Sequence, residues 1–323
     1  MRALVTGAGG FLGAALVRAL AARGDAVRAL VRRPPAPGAF PPGVEAVVGD
    51  ALDPAAVGAA VRGQDVLFHL AGIRRATERD EFFRVNAGST RIALEACQAE
   101  APGLRRFVLA GSLAASGPSR EGRREEEPPR PVEAYGESKA EAERIAFGYA
   151  DRLPVAVARP PRIVGAGDRE NLLFFRIVRK GFLLAIGGPP RPLSWVDVDD
   201  CARGLLALAD HPDAAGQAFF LASEERTSVE GLQEAAARAL GLSPRRVKVP
   251  SWTLRGAAAL ADTVGRATGR RLPLNRKLAA QVLAPGWVCR TEKARRVLGF
   301  AAPTTLAESM DRAARSYRER GWI

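Results

Sequence analysis

Short apolar runs alternate with helix-period stretches through the first 160 residues. Residues 2–6 read as a strand, glycines follow, and 11–23 carries helical periodicity. The next strand-like run is 26–31, after which Pro34, Pro35, Pro37, Pro41 and Pro42 break the chain. Residues 44–49 read as a strand, 54–62 as a helix and 65–70 as a strand. A long helix is expected at 81–100, a strand at 106–111, a helix at 134–149 and a strand at 155–159. Strands alternating with helices imply an α/β fold: a parallel sheet with helices on both faces.

The second half changes character. Pro and Gly cluster at 160–167 and 187–192. A helix is expected at 202–209, a strand at 217–221 and a helix at 227–240. Thr227-Ser228-Val229-Glu230 reads as a capping box for that last helix and Gly241 as its stop. Mostly helical segments follow at 252–269, 274–284, 291–298 and 304–320. The expected organisation is a first domain over 1–165, to which 196–222 returns, and a smaller, mostly helical substrate lobe over 166–323.

Composition narrows the function classes. The chain has 323 residues, 47% hydrophobic and 26% charged, which suits two packed lobes and excludes a disordered protein. Residues 2–6 enter a strand directly, with no signal-peptide pattern, so a cytoplasmic location is expected. Three distant cysteines and two histidines offer neither a zinc-ligand spacing nor a serine-hydrolase triad, and no metal site is expected. The net charge is +13, with residues 241–300 strongly basic. That region reads as a helix packed on the second lobe with solvated arginines, its apolar stripe made of Leu254, Ala257, Ala258 and Val264. Peripheral contact with anionic lipid and capture of an acidic ligand stay open there. The lack of a reader motif argues against nucleic acid.

Thr6-Gly7-Ala8-Gly9-Gly10-Phe11-Leu12-Gly13 follows the first strand and opens the first helix. Gly7 allows a tight turn, Gly10 a close approach of backbone to a pyrophosphate, and Gly13 close packing of helix on strand. The helix N-terminus offers unpaired N–H groups to that anion. This context points to a dinucleotide site made of Gly7, Gly9, Gly10, Phe11, Leu12 and Gly13. An NAD site needs an acidic residue at the end of the second strand to bind the ribose 2′-OH. Here Val31 stands there, followed by Arg32 and Arg33, and either guanidinium could pair with a 2′-phosphate. NADP(H) is therefore the preferred cofactor, with NAD(H) the alternative. Asp50-Ala51 after the third strand could meet the adenine. Leu70-Ala71-Gly72 after the fourth lets backbone approach the cofactor, and His69 beside them reads as a core histidine.

Tyr135 and Lys139 stand four apart on a predicted helix and so share a face. With three tyrosines and five lysines in the chain, chance rarely makes such a pair. A nearby ammonium favours the phenolate, so Tyr135 can exchange a proton with a carbonyl or alcohol oxygen. Ser112, just past the fifth strand, could hydrogen-bond the same oxygen. The segment from 112 to 135 reads as a long functional loop. Its run Arg123-Arg124-Glu125-Glu126-Glu127 reads as a solvated face.

The TGAGGFLG loop, HLAG, VNAGST, AGSLAASG, YGESK, RPPRIVGAGD and SWVDVDDCA segments together resemble the extended short-chain dehydrogenase/reductase family over nearly the whole chain. The resemblance implies a Rossmann-type doubly wound parallel sheet. It implies that Tyr135 is the acid/base, that Lys139 holds the nicotinamide ribose and lowers the tyrosine's pKa, and that Ser112 orients the substrate oxygen. It also implies that Asn86 supports the site or cofactor and that Pro160 to Ile163 line the nicotinamide. Nucleotide-sugar epimerases of this family carry an acid after the second strand and an Asn after the sixth. This chain has Val31-Arg32 and Arg159-Pro160-Pro161-Arg162 instead. The pattern is closer to dihydroflavonol reductase and 3β-hydroxysteroid dehydrogenase. The expected reaction interconverts a carbonyl and a secondary alcohol on an apolar or aromatic small molecule. The runs Leu172-Leu173-Phe174-Phe175 and Phe182-Leu183-Leu184, with Trp252 and Trp287, are the candidate substrate walls. Nucleotide-sugar epimerisation and cofactor binding without turnover are the rivals, and a homodimer stays open.

Overall fold

The computed structural model describes residues 1–268 and 276–323. β1 (Arg2–Thr6), α1 (Phe11–Ala22), β2 (Ala26–Val31), β3 (Glu45–Val48), α2 (Pro54–Val61) and β4 (Val66–His69) build one wing of a sheet. α3 (Arg79–Phe82) then passes through one π turn, Phe83–Gly88, into α4 (Ser89–Glu100). The expected single helix at 81–100 is thus interrupted around Asn86, and such bulges often sit at functional sites. β5 (Arg106–Ala110), α5 (Leu113–Ser116), β6 (Ser119–Arg123), α6 (Ala134–Phe147) and β7 (Val155–Ala158) follow. The segment 112–135 is therefore not one loop.

β8 (Arg162–Val164), α7 (Leu172–Arg179), β9 (Phe182–Ile186), β10 (Leu193–Asp197), α8 (Val198–Asp210) and β11 (Gln217–Phe219) come next. The chain ends with β12 (Arg226–Thr227), α9 (Val229–Leu240), β13 (Arg245–Val249), α10 (Ser251–Thr268), α11 (Arg276–Leu283), β14 (Trp287–Cys289), α12 (Glu292–Leu298) and α13 (Leu306–Glu319). The second half holds more strand than its periodicity predicts. Its strands are short and several carry polar residues, so no alternation marks them. The cap of α9 is Ser228, whose hydroxyl accepts from Gly231 N, one position later than the expected Thr227 box. The last described elements start and stop near expectation, although part of the expected 274–284 helix lies outside the described residues.

Seven parallel strands run in the order β11-β7-β5-β4-β1-β2-β3, a Rossmann-type doubly wound sheet. Leu16 and Leu20 of α1 and Leu205 and Leu208 of α8 bury one face, and Val57, Leu94 and Ile145 pack the other. β11 pairs with β7, and α8 packs on α1, so the 196–222 segment contributes to this sheet and its cover. A second sheet runs β12-β10-β14-β6, with β8 beside β10. α7, α9 and α13 enclose a third core around Trp195, Phe175 and Tyr317. Connections diverge to either side of β1, which opens a crevice at the carboxyl ends of β1 and β4. Among the described residues no helix is long and apolar enough to cross a membrane.

Candidate active site

The glycine turn shows why side chains are excluded from it. Gly7 has φ +70°, and a Cβ there would stand 2.8 Å from Ala71 N. A Cβ on Gly13 would collide with Gly7 O, so this glycine lets α1 close against the turn. By contrast, a Cβ on Gly9 would meet nothing nearer than Val31 Cγ1 at 3.9 Å. The backbone there faces open space, as a cradle for pyrophosphate requires. Gly7, Gly9, Gly10, Phe11, Leu12 and Gly13 line one end of a cavity of about 760 Å³.

Ser112, Tyr135 and Lys139 line the same cavity, with Leu70, Gly72, Pro160 and Ile163. Ser112 caps the one-turn helix α5: its Oγ accepts from Ala114 N at 3.1 Å and keeps its hydrogen to donate. A Cβ on Gly136 would collide with Ala114 O, so this glycine brings α6 tightly against α5 and sets Tyr135 beside the Ser112 loop. Lys139 is buried, and its Nζ donates to Ala110 O at 2.7 Å. Leu113 N donates to Pro160 O at 3.0 Å and ties that loop to the Pro160–Ile163 turn.

Asn86 does not line the cavity. Buried in the π turn, it accepts from Ile73 N at 2.8 Å and donates to Ile73 O at 3.1 Å and to Ser138 Oγ at 2.9 Å. Ser138 in turn donates to Tyr135 O at 2.7 Å. Asn86 therefore clamps the strand-β4 exit loop to the tyrosine's helix. Arg32 and Arg33 are exposed just past β2, and among the described residues neither makes an ion pair. Asp50 is exposed and accepts from Leu52 N at 2.9 Å, a turn bond that leaves its other oxygen available. Ala51 lies beside it, half-buried, and Ala71 N donates to Thr6 Oγ1 at 3.2 Å.

His69 is buried between Thr6 Oγ1 at 3.0 Å and Ser89 Oγ at 3.1 Å. Burial, and next the Lys139 charge, push its pKa down to about 3, so it stays neutral in the core. Glu143, one turn beyond Lys139, is buried against Arg159 at 2.8 Å. Burial raises its pKa against the pull of Arg159 and Lys139. A Cβ on Gly111 would strike Glu143 Oε1, so this carboxylate packs directly beneath the Ser112 turn. Sequence reasoning missed Glu143, although its i+4 offset from Lys139 was visible.

Three expectations are corrected. Leu172 and Phe175 belong to the core under α9 and α13, Leu183 is buried, and Leu173 and Phe182 are exposed; none lines the cavity. Trp252 is 73% exposed on α10, whereas Trp287 does line the cavity. The Arg123–Glu127 run is not a solvated face: Arg123 is buried, and Glu125 Oε1 accepts from Phe220 N at 3.0 Å. Of the expected α10 stripe, Ala258 is buried and Val264 is 41% exposed. Cavity walls missed from sequence include Ile73, Arg74, Val282 and Trp322, which come from separate parts of the chain, whereas Arg162 falls within the expected Pro160 to Ile163. Among the described residues no cluster could hold a metal ion.

Residues 3–222 match the model of the NAD dependent epimerase/dehydratase family. The chain is 31% identical over 320 residues to the ceramide reductase of Caulobacter vibrioides, covering 99% of this chain and 95% of that protein. It is 30% identical over 329 residues to the 3 beta-hydroxysteroid dehydrogenase/Delta 5-->4-isomerase of Mycobacterium tuberculosis, covering 96% of this chain and 88% of that one. The solved structure of MoeE5 in complex with UDP-glucuronic acid and NAD superposes with a TM-score of 0.78 at 25% identity, covering 99% of this chain and all of that one (100%). The chain belongs to the NAD dependent epimerase/dehydratase family, within the extended short-chain dehydrogenases/reductases, and is an NAD(P)-dependent enzyme of that type.

Proposed function

We propose that the protein is an NADP(H)-dependent oxidoreductase that interconverts a carbonyl and a secondary alcohol on an apolar or aromatic small molecule. The observation that carries this reading is the meeting of Ser112, Tyr135 and Lys139 with the glycine turn in one cavity. The same cavity offers Ile73, Leu193, Val282 and Trp287, surfaces that favour an apolar substrate by burial. The relatives named as reductase and hydroxysteroid dehydrogenase support the same substrate class.

Each residue then has a task. The nicotinamide, when bound, supplies or accepts hydride at the carbonyl carbon. Tyr135 donates a proton to the carbonyl oxygen in reduction and takes it back in oxidation. Ser112 donates its free hydroxyl hydrogen to that oxygen and fixes its position. The Lys139 ammonium, anchored on Ala110 O, reaches the ribose. Gly7 to Gly13 hold the pyrophosphate, with Leu70, Ala71 and Gly72 lining its path. Asp50 and Ala51 meet the adenine, and Pro160 and Ile163 pack on the nicotinamide. Arg32 and Arg33, without an ion pair among the described residues, pair with a 2′-phosphate and give the NADP(H) preference. The lobe over 166–323 supplies the substrate's outer walls.

A ketone and alcohol panel, followed by nicotinamide absorbance with both cofactors, tests the reading. Turnover of apolar ketones with NADPH supports it. Epimerisation of a UDP-sugar without any ketone reduction contradicts it.

A further inference from the structure

Two arginines of the cavity have no role in the reaction above. Arg162 begins β8, two residues after Pro160, at the place where the nucleotide-sugar enzymes carry Asn. Its Nη1 donates to Asn171 Oδ1 at 2.8 Å, and its guanidinium lies 5.7 Å from the Phe174 ring centre. Arg74, in the loop clamped by Asn86, places its guanidinium 5.8 Å from the ring centre of Tyr135. Among the described residues neither arginine makes an ion pair. Asp168 and Glu170 bear on Arg162 through their charge, without an ion pair to it among the described residues. Asp168 accepts from Glu170 N and from Asn171, and Glu170 pairs with Arg75 at 2.7 Å. Burial, and next the charge of Arg74, pull the Arg162 guanidinium below its usual pKa, while the charges of Asp168 and Glu170 act the other way.

Of the other guanidiniums of the wall, Arg18 faces a carboxylate and the rest meet neutral groups. Arg191 donates to Ile186 O and Gly187 O, Arg320 donates to Ser316 Oγ, Arg18 faces Asp199 at 3.7 Å, and Arg169 lies over Trp322. Both guanidiniums line the cavity that holds Tyr135, and among the described residues neither makes an ion pair, so an anion entering there meets two cations. A carboxylate suits both, because two guanidinium forks can share its oxygens through charge-assisted hydrogen bonds. Ile73, Leu193 and Trp287 of the same cavity offer apolar surface to a hydrocarbon chain.

We propose that Arg162 and Arg74 form a subsite for the carboxylate of an apolar oxo acid and hold that group beside Tyr135. The proposal rests on the carbonyl-reduction reading and specifies its substrate. The acid end meets the two arginines, and the hydrocarbon runs along the apolar wall toward Trp287.

The test compares the α-, β- and γ-oxo derivatives of decanoic acid with their methyl esters, which keep chain and carbonyl but lose the charge. Turnover is measured with NADPH, and binding by calorimetry on the NADP⁺-loaded protein. At least one acid should be favoured over its ester by about ten-fold or more, the worth of a charge-assisted pair. Arg162→Met should reduce that ratio to within about two-fold of unity, and Arg162→Lys, which keeps the charge without the fork, should retain part of it. Arg74→Gln approaches the same subsite from an exposed position, and NADPH affinity confirms that each variant is folded. A ratio near one in the unmodified protein overturns the proposal, as does a ratio that survives Arg162→Met. Tighter binding of UDP-glucose than of every oxo acid also overturns it. A binding preference for the acids without turnover of acid or ester supports the subsite and contradicts the reduction reading, so the two fail separately.

Discussion

Replacing Asn86 by Ala should loosen the site without touching the reacting atoms. Asn86 makes three hydrogen bonds, two to the backbone of Ile73 and one to Ser138. A typical intramolecular hydrogen bond is worth about 1 kcal/mol net, and a stranded buried partner costs more. Ile73 is half-buried, so water recovers part of the loss at its two backbone groups. The expected destabilisation is about 2–3 kcal/mol, which a domain of ordinary stability survives folded. Function should suffer more than folding. The freed loop carries Gly72, which packs against Lys139, and Arg74, which lies beside Tyr135. Misplacement on the scale of 1 Å can cost up to about a hundred-fold in rate. Urea unfolding gives the stability change, and steady-state kinetics gives kcat and KM for cofactor. Asn86→Asp keeps the acceptor for Ile73 N but loses both donated bonds, so it should fall between wild type and Ala. Unchanged stability together with unchanged kcat in Asn86→Ala would refute the clamp.

Three further outcomes follow. Lys139→Met should weaken NADPH binding and slow turnover together, as fluorescence titration and kinetics would read; loss of neither removes the lysine from the site. Arg32→Asp should narrow or reverse the NADPH over NADH preference in a binding titration, and an unchanged ratio would move the credit to Arg33. His69 is neutral when folded, with a pKa of about 3, but binds a proton when unfolded near its ordinary value of 6.5. Its contribution is therefore complete above pH about 6.5 and is lost as pH falls toward 3, amounting to about 2 kcal/mol by pH 5. Urea midpoints at pH 7 and 5 should show that loss in the wild type and a smaller one in His69→Gln; equal losses would refute it.

The parts of the site that depend on local chain geometry were legible in the sequence. The glycine turn needs only a strand, a tight turn and a helix start. Tyr135 and Lys139 need only one helix face. Arg74 was not legible, because nothing in its own segment places the β4 exit loop on the cavity, whereas Arg162 stands inside the expected Pro160 to Ile163 wall, though not as an anion-binding group. The apolar character of the Leu172–Phe175 run was legible, but not what it packs on: α7 buries Leu172 and Phe175 in the core with Tyr317 rather than in the cavity and leaves Leu173 exposed. Glu125 misled for a similar reason. A charge run reads as solvated unless a distant backbone donor, here Phe220 N, comes to meet one of its members.

The central claim is that Tyr135 moves the proton while hydride passes to an apolar carbonyl. Transfer of deuterium from C4-deuterated NADPH to a ketone, compared between wild type and Tyr135→Phe, tests it most directly. Deuterium should appear on the carbinol carbon of the wild-type product. Tyr135→Phe should bind NADPH with little change yet transfer deuterium at least about a hundred-fold more slowly, the usual worth of a general acid. Near-normal transfer by Tyr135→Phe, or no transfer to any ketone by the wild type, would contradict the account.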